Sequence, residues 1–93
     1  MTIQHEPRYR EFIKASGVGD NDAVASSVES YVSYLRSVSR IVGVPISPAL
    51  LNSEADVERI ATQLLGTRAD NTIRNYKSAM RRYVAMVREA GLL

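Results

Sequence analysis

Hydrophobic residues recur at helical spacing along most of the chain, and the clearest series precedes Gly43. Apolar residues there step by four, three, four, three and four positions, which places them on one face of an α-helix. Val32, Tyr34 and Ile41 widen this face to about half of the circumference at about 100° per residue. The sequence therefore predicts a central helix that ends at Gly43. Its core positions are Val24, Val28, Tyr31, Leu35, Val38 and Val42.

A shorter helix is predicted near the N-terminus. Pro7 suits the first turn of a helix that runs to about Ser16, and the glycines that follow would end it. Its apolar positions form only a small patch, which consists of Tyr9, Phe12 and Ile13. A patch of this size favours an N-terminal arm helix within residues 1–19, packed on a bundle formed by residues 22–93.

A third helix is predicted to begin at Asn52 or Ser53, after a proline-containing extended segment and a short turn. Asp56 follows Ser53 by three residues, which is the spacing of a capping box. Glu54, Asp56 and Glu58 alternate on one turn and point in different directions, so they favour the helix N-terminus rather than a metal site. The buried stripe consists of Val57, Ile60, Ala61, Leu64 and Leu65, with Gly66 as the end signal.

The last helix is capped by Asp70 or Asn71 and ends at Gly91. Its apolar residues again alternate steps of three and four, which is typical of one buried face. They are Ile73, Tyr76, Met80, Tyr83 and Val87. No segment carries a strand pattern, so the sequence predicts an all-α fold: one domain, residues 1–93, built as a compact bundle of four to five helices.

Composition excludes several classes of function. The 93 residues include no cysteine and a single histidine, His5, near the terminus, which argues against disulfides and a zinc site. With few residues able to serve as a base, we expect no catalytic site, no cofactor, no metal and no small-molecule substrate. No apolar run approaches the roughly 20 residues that span a bilayer. We therefore expect a soluble, cytoplasmic binding protein that has no membrane partner.

The positive charge is concentrated in residues 71–93, where five cations face a single acidic residue, Glu89. On a helical wheel, four of the cations share a face about a third of a turn from the apolar stripe. They are Arg74, Lys77, Arg81 and Arg88. Asn75 and Ser78 border this face, while Arg82 falls on the solvent side. Such a helix suits contact with DNA phosphates and base edges, although a solvated basic surface has the same pattern.

The last helix also carries a motif. It contains, in order, Thr72, Ile73, Tyr76, Ser78, Ala79, Arg81 or Arg82, Tyr83 and Gly91. This order resembles the Thr-Ile-x-x-Tyr-x-Ser-Ala-Leu-Arg-x-Phe/Tyr helix, ending in glycine, of the N-terminal core-binding, SAM-like domain of tyrosine recombinases and phage integrases. Met80 stands where leucine is usual. Residues 30–35 resemble the second helix of that domain more weakly, so the resemblance covers about residues 22–93.

The resemblance implies a helical clamp on duplex DNA that uses the second and last helices. The positions that match the DNA-facing sets of the family are Ser33, Arg36, Ser37, Arg40, Thr72, Arg74, Asn75, Lys77, Ser78 and Arg81. Recombinase chemistry needs an arginine–histidine–arginine set and a tyrosine nucleophile on a separate domain, and this sequence does not contain them. The resemblance therefore implies DNA binding without catalysis.

Two further expectations concern tyrosines and self-association. Tyr31, Tyr76 and Tyr83 lie on apolar stripes and are predicted to pack in the core, with their hydroxyls at its edge; Tyr9 and Tyr34 fit either packing or base stacking. The apolar residues left over are Ala85, Met86, Leu92 and Leu93, a candidate dimer patch.

The leading hypothesis is a non-enzymatic DNA-binding domain. The alternative is a helical protein–protein interaction adaptor, such as a phage inhibitor of a host defence protein, that turns the same basic helix toward an acidic partner.

Overall fold

Four helices form the described part of the chain, which comprises residues 3–15 and 28–92 of a computed structural model. Within these residues the only β-type pairing consists of two isolated bridges. The predicted all-α bundle is therefore confirmed. The helices are α1 (Glu6–Ala15), α2 (Val28–Val42), α3 (Glu54–Leu64) and α4 (Asp70–Ala90).

The longest helix, α4, packs against each of the other three. Its buried side includes all five apolar positions of the predicted stripe, together with Ala79, Val84 and Met86. A wide buried face is what a helix needs when neighbours pack on several of its sides. The strip of α4 that is not buried contains six of the ten candidate contact residues, of which Arg74 and Arg81 are exposed and the others half-buried.

The N-terminal helix α1 is part of the core, although we expected an arm. Tyr9 and Ile13 are both fully buried. The Tyr9 hydroxyl donates a 2.9 Å hydrogen bond to the carbonyl oxygen of Ala79, and the Tyr9 ring lies 5.7 Å from that of Tyr83. The Tyr83 hydroxyl in turn donates to the carbonyl oxygen of Gln4 at 2.9 Å. The small apolar patch thus inserts into the bundle.

The buried face of α2 is rotated slightly from the predicted stripe. Val32, Leu35, Val38 and Ser39 are buried, whereas Tyr31 is only half-buried and packs at the edge of the core. The buried Ser39 Oγ donates to the carbonyl oxygen of Val44 at 2.6 Å, which satisfies its polar group. The predicted core position at residue 24 lies outside the described residues.

The connection between α2 and α3 is held at two points. The Gln4 amide donates to the carbonyl oxygen of Ile46 at 2.8 Å, and Ile46 is fully buried. Ser47 then caps a turn, as its Oγ accepts from the Leu50 amide at 3.2 Å. The turn that the sequence predicted after the prolines is present.

The start of α3 and its end signal at Gly66 agree with the sequence, whereas the predicted burial of Leu65 is wrong. The Ser53 hydroxyl accepts from the Asp56 amide at 3.2 Å, and the Asp56 carboxylate accepts from the Asn52 amide at 3.0 Å. Leu65, predicted to be buried, is 62% exposed because the helix stops at Leu64 and residue 65 turns into an extended conformation. Gly66 follows with φ +86°, in the left-handed region that suits glycine.

The ends of α4 correct two further expectations. Neither Asp70 nor Asn71 is the N-cap; Ala69 occupies that position, without a side-chain cap hydrogen bond. Met86 is 1% exposed and belongs to the core, so the proposed dimer patch lacks its central residue. Residue 93 of that patch lies outside the described residues. None of the described helices has the length and apolar character needed to cross a membrane.

Candidate nucleic-acid interface

Three cations occupy successive turns of α4 on the side that faces α3. Arg74, Lys77 and Arg81 follow one another at intervals of three and four residues, which keeps them on one face. They line a shallow groove of about 230 Å³ together with Leu65, Asp70 and Ile73. Arg74 and Arg81 are exposed and Lys77 is half-buried. Three members of the predicted basic face therefore line one groove. The fourth, Arg88, is not part of that lining, and its Nε donates to the carbonyl oxygen of Asn52 at 3.1 Å.

Two carboxylates of α3 neutralise part of this surface. Arg81 Nε lies 3.1 Å from both carboxylate oxygens of Glu54, and Arg81 Nη2 lies 3.0 Å from Glu54 Oε2. Glu58 contacts the same Nη2 at 3.3 Å and the Lys77 Nζ at 3.1 Å. Ion pairs between partly exposed side chains thus join α3 to α4.

These contacts change the ionisation of the groups involved. Hydrogen bonding to Arg81 lowers the pKa of the Glu54 carboxyl, and the bonds from Glu54 raise the pKa of the Arg81 guanidinium. Both groups remain charged at neutral pH. An incoming anion would therefore meet a guanidinium that is already bound by a carboxylate.

The sequence interpretation missed this pairing. It assigned the acidic residues of α3 to the helix dipole and to different directions. Glu54 and Asp56 do lie in the first turn of the helix, but Glu54 and Glu58 do not point in different directions. Asp56 pairs with Arg59 at 2.7 Å and with the Asn52 amide, whereas Glu54 and Glu58 are four residues apart and share a face. The spacing was visible in the sequence, but the neighbour across that face was not.

The arginines of α2 are directed to a different neighbour. Arg36 Nη2 lies 3.0 Å from the Glu6 carboxylate of α1, and Arg10 of α1 bonds both Glu6 and Glu29. Arg40 is exposed and makes no ion pair with the residues that the structure describes. Arg36 thus lies on the α1 side of the bundle, while Lys77 and Arg81 of α4 lie on the α3 side.

The polar candidates differ in accessibility. Ser33 is exposed, whereas the others are half-buried: Ser37, Thr72, Asn75 and Ser78. Of these, Ser78 lines a second groove, between α2 and α4, together with Tyr31, Arg81, Arg82 and Ala85. Arg82 is exposed as predicted, yet it shares this groove with Arg81 rather than standing apart from the candidate surface.

No group of three or more His, Cys, Asp or Glu side chains within residues 3–15 and 28–92 could hold a metal ion. Buried tyrosines are also poor nucleophiles: burial raises the pKa of Tyr9, and that of Tyr83 to about 12. The arrangement suits ionic contact with a partner, by side chains on the outer strip of α4.

Comparisons with protein-family models, with curated proteins and with solved structures each find no match for this chain.

Proposed function

We propose that this chain binds duplex DNA through the exposed strip of α4, with additional contacts from α2. The observation that carries the proposal is the row of Arg74, Lys77 and Arg81 on successive turns of one helix. Cations at that spacing can follow a phosphate backbone, and arginine also forms paired hydrogen bonds with guanine. The resemblance of the last helix to recombinase core-binding domains supports the same function.

The ion pairs with α3 determine how DNA would bind. Phosphates would compete with the carboxylates of Glu54 and Glu58, which already occupy some of the Lys77 and Arg81 donors. Exposed ion pairs of this kind contribute only about 0–1 kcal/mol each, so the exchange is feasible. Arg74 contacts no carboxylate among the described residues; its closest polar partner is the Asn71 side chain at 3.5 Å. It is the first contact we assign to a phosphate.

Within this proposal the polar side chains have separate roles. Asn75 and Ser78 lie beside the cations on α4 and carry the groups that can hydrogen bond to base edges. Thr72, at the start of α4, and Ser33, Ser37 and Arg40 of α2 would position the domain on the backbone. Arg36, paired with Glu6, would contribute after exchanging that partner.

A titration of fluorescently labelled duplex DNA at low salt tests the proposal. We expect Arg74→Ala/Arg81→Ala to lose more than about tenfold in affinity, because two charge-assisted contacts are removed. Arg82 cannot serve as the control, since it lines the neighbouring groove. Arg8→Ala/Lys14→Ala removes the same charge from α1 and should bind as the parent does. Equal losses in both variants would contradict the proposal.

The second candidate is an adaptor for an acidic protein, and one observation favours it. Leu65 is 62% exposed and lies in the same groove as the cations, where it could anchor an apolar side chain of a partner. Leu65→Ser separates the two functions. It should leave DNA affinity unchanged, whereas an adaptor would lose its partner when either Leu65 or the arginines are replaced.

A further inference from the structure

The groove between α2 and α4 combines an aromatic ring with two guanidinium groups. Tyr31 of α2 lies on one side, and Ser78, Arg81, Arg82 and Ala85 of α4 form the other, around a volume of about 320 Å³. That volume lies at the lower end of the roughly 300–1,000 Å³ that small-ligand sites span. None of these five residues belongs to the hydrophobic core proper, and Tyr31 packs only at its edge.

The ring of Tyr31 is held in place by two further tyrosines. Its centroid lies 6.0 Å from that of Tyr34, which lies 5.7 Å from that of Tyr76. Tyr76 is only 6% exposed and anchors the row in the core. Tilted ring pairs at such separations are favourable, so Tyr31 is oriented before any ligand arrives. A fixed ring loses little conformational freedom when a planar group stacks on it.

The two arginines at the groove differ in whether they already form ion pairs. Arg81 is engaged by Glu54 and Glu58, whereas Arg82 makes no ion pair with any residue that the structure describes. Ser78 adds a hydroxyl that can donate or accept a hydrogen bond. Ala85 has a small side chain, which leaves the groove open at that end.

From this combination we infer that the α2–α4 groove binds an unpaired nucleotide of a DNA strand. The base stacks on Tyr31 and the phosphate pairs with Arg82. Proteins that bind single strands unite these two features, aromatic rings for the bases and cations for the backbone. The inference rests on the proposed function, which identifies the ligand as DNA. It adds a site for a base that lies outside the duplex stack or at the end of the duplex.

Two labelled probes test the inference: a short oligothymidylate and a blunt duplex, each titrated by fluorescence anisotropy. We expect Tyr31→Leu to weaken oligothymidylate binding by roughly 5- to 150-fold, the range that corresponds to loss of one stacked base. Tyr31→Phe keeps the ring and should retain affinity. Duplex binding, which depends on Arg74 and Arg81, should change little in either variant.

Arg82→Gln provides a test that does not involve packing, since Arg82 is exposed. We expect it to reduce the salt dependence of oligothymidylate binding by about 0.7 in the log–log slope, the value for one lost phosphate contact on a single strand. Arg8→Gln removes an equal charge from α1 and should leave the slope unchanged.

The outcomes separate the two proposals. Two results would overturn the groove site and leave the duplex function standing. One is duplex binding without oligothymidylate binding. The other is oligothymidylate binding that neither Tyr31→Leu nor Arg82→Gln changes. Failure to bind either probe would overturn the proposed function and the groove site together. Weaker oligothymidylate binding by Tyr31→Leu and a reduced salt slope in Arg82→Gln, with duplex binding preserved, would support the site.

Discussion

Arg81 of α4 and Glu54 of α3 form an ion pair in which the guanidinium Nε lies 3.1 Å from each carboxylate oxygen. The pair joins the helix that carries the candidate contact surface to the helix beside it. Because the same guanidinium would also bind a phosphate, intramolecular pairing and DNA binding compete for one charged group. The strength of that competition can be measured.

Removing the competing carboxylates should strengthen DNA binding. We expect Glu54→Gln/Glu58→Gln to raise affinity for duplex DNA, since Lys77 and Arg81 no longer have to exchange a partner. The gain should be at most about 150-fold, because the variant removes three exposed ion pairs that contribute about 0–1 kcal/mol each. Titration of the two forms at equal salt gives the ratio.

The control for this experiment is Glu11→Gln/Glu89→Gln. It changes the net charge equally, but both residues line a cleft between α1 and the end of α4, away from the cation row. An equal gain in the control would mean that net charge alone explains the effect.

The Tyr9 hydroxyl contributes to the packing of α1 against α4. Tyr9→Phe removes the hydrogen bond to the Ala79 carbonyl while keeping the buried ring. We expect the free energy of unfolding to fall by about 0.5–1.5 kcal/mol. Tyr31→Phe removes a hydroxyl at the edge of the core and should change it by less than about 0.5 kcal/mol. Chemical denaturation of both variants makes the comparison, and equal effects would place α1 outside the core.

Replacing a buried leucine and an exposed leucine tests the assignment of the core. Leu35 is fully buried and Leu65 is 62% exposed. Leu35→Ala should reduce the free energy of unfolding by about 2–5 kcal/mol, whereas Leu65→Ala should change it by less than about 0.5 kcal/mol. Thermal or denaturant unfolding measures both. Similar values for the two would show that the buried face of α2 is assigned wrongly.

The fold should lose stability in alkali. Burial raises the pKa of Tyr9 and Tyr83 above the ordinary value of 10.0, so the folded state keeps phenolic protons that the unfolded state releases. The stabilisation is complete below pH 10.0 and is lost as pH rises, toward about 12 for Tyr83. Tyr9→Phe/Tyr83→Phe should show a shallower decline of unfolding free energy over this range. An identical pH profile would contradict the assigned burial of both hydroxyls.

The parts of the fold that could be predicted are those that depend on periodicity. The stripe of α4 and the cap at Ser53 follow from local spacing, and the structure contains both. The burial of Tyr9 could not be predicted, because a one-turn patch on a short helix has the same pattern whether it packs as an arm or in the core. Leu65 satisfies the helical spacing, but the helix ends one residue earlier.

Only the α4 side of the candidate surface could be predicted from the sequence. The sequence places Arg74, Lys77 and Arg81 on a common face, since that depends on one helix. Pairing with Glu54 and Glu58 depends on how α3 is positioned against α4, which no local pattern specifies. The same reason explains why the exposure of Arg82 was predicted but the groove that it shares with Tyr31 was not.

The salt dependence of duplex binding tests the central claim most directly, because it counts phosphate contacts. For about four contacts, log affinity should fall against log salt with a slope of roughly −3.6. Arg74→Ala/Arg81→Ala should reduce the magnitude of that slope by about 1.8, from 0.9 per contact. The charge-matched variant Arg8→Ala/Lys14→Ala should retain the slope of the parent. Equal slopes in the parent and the Arg74→Ala/Arg81→Ala variant would contradict DNA binding by α4.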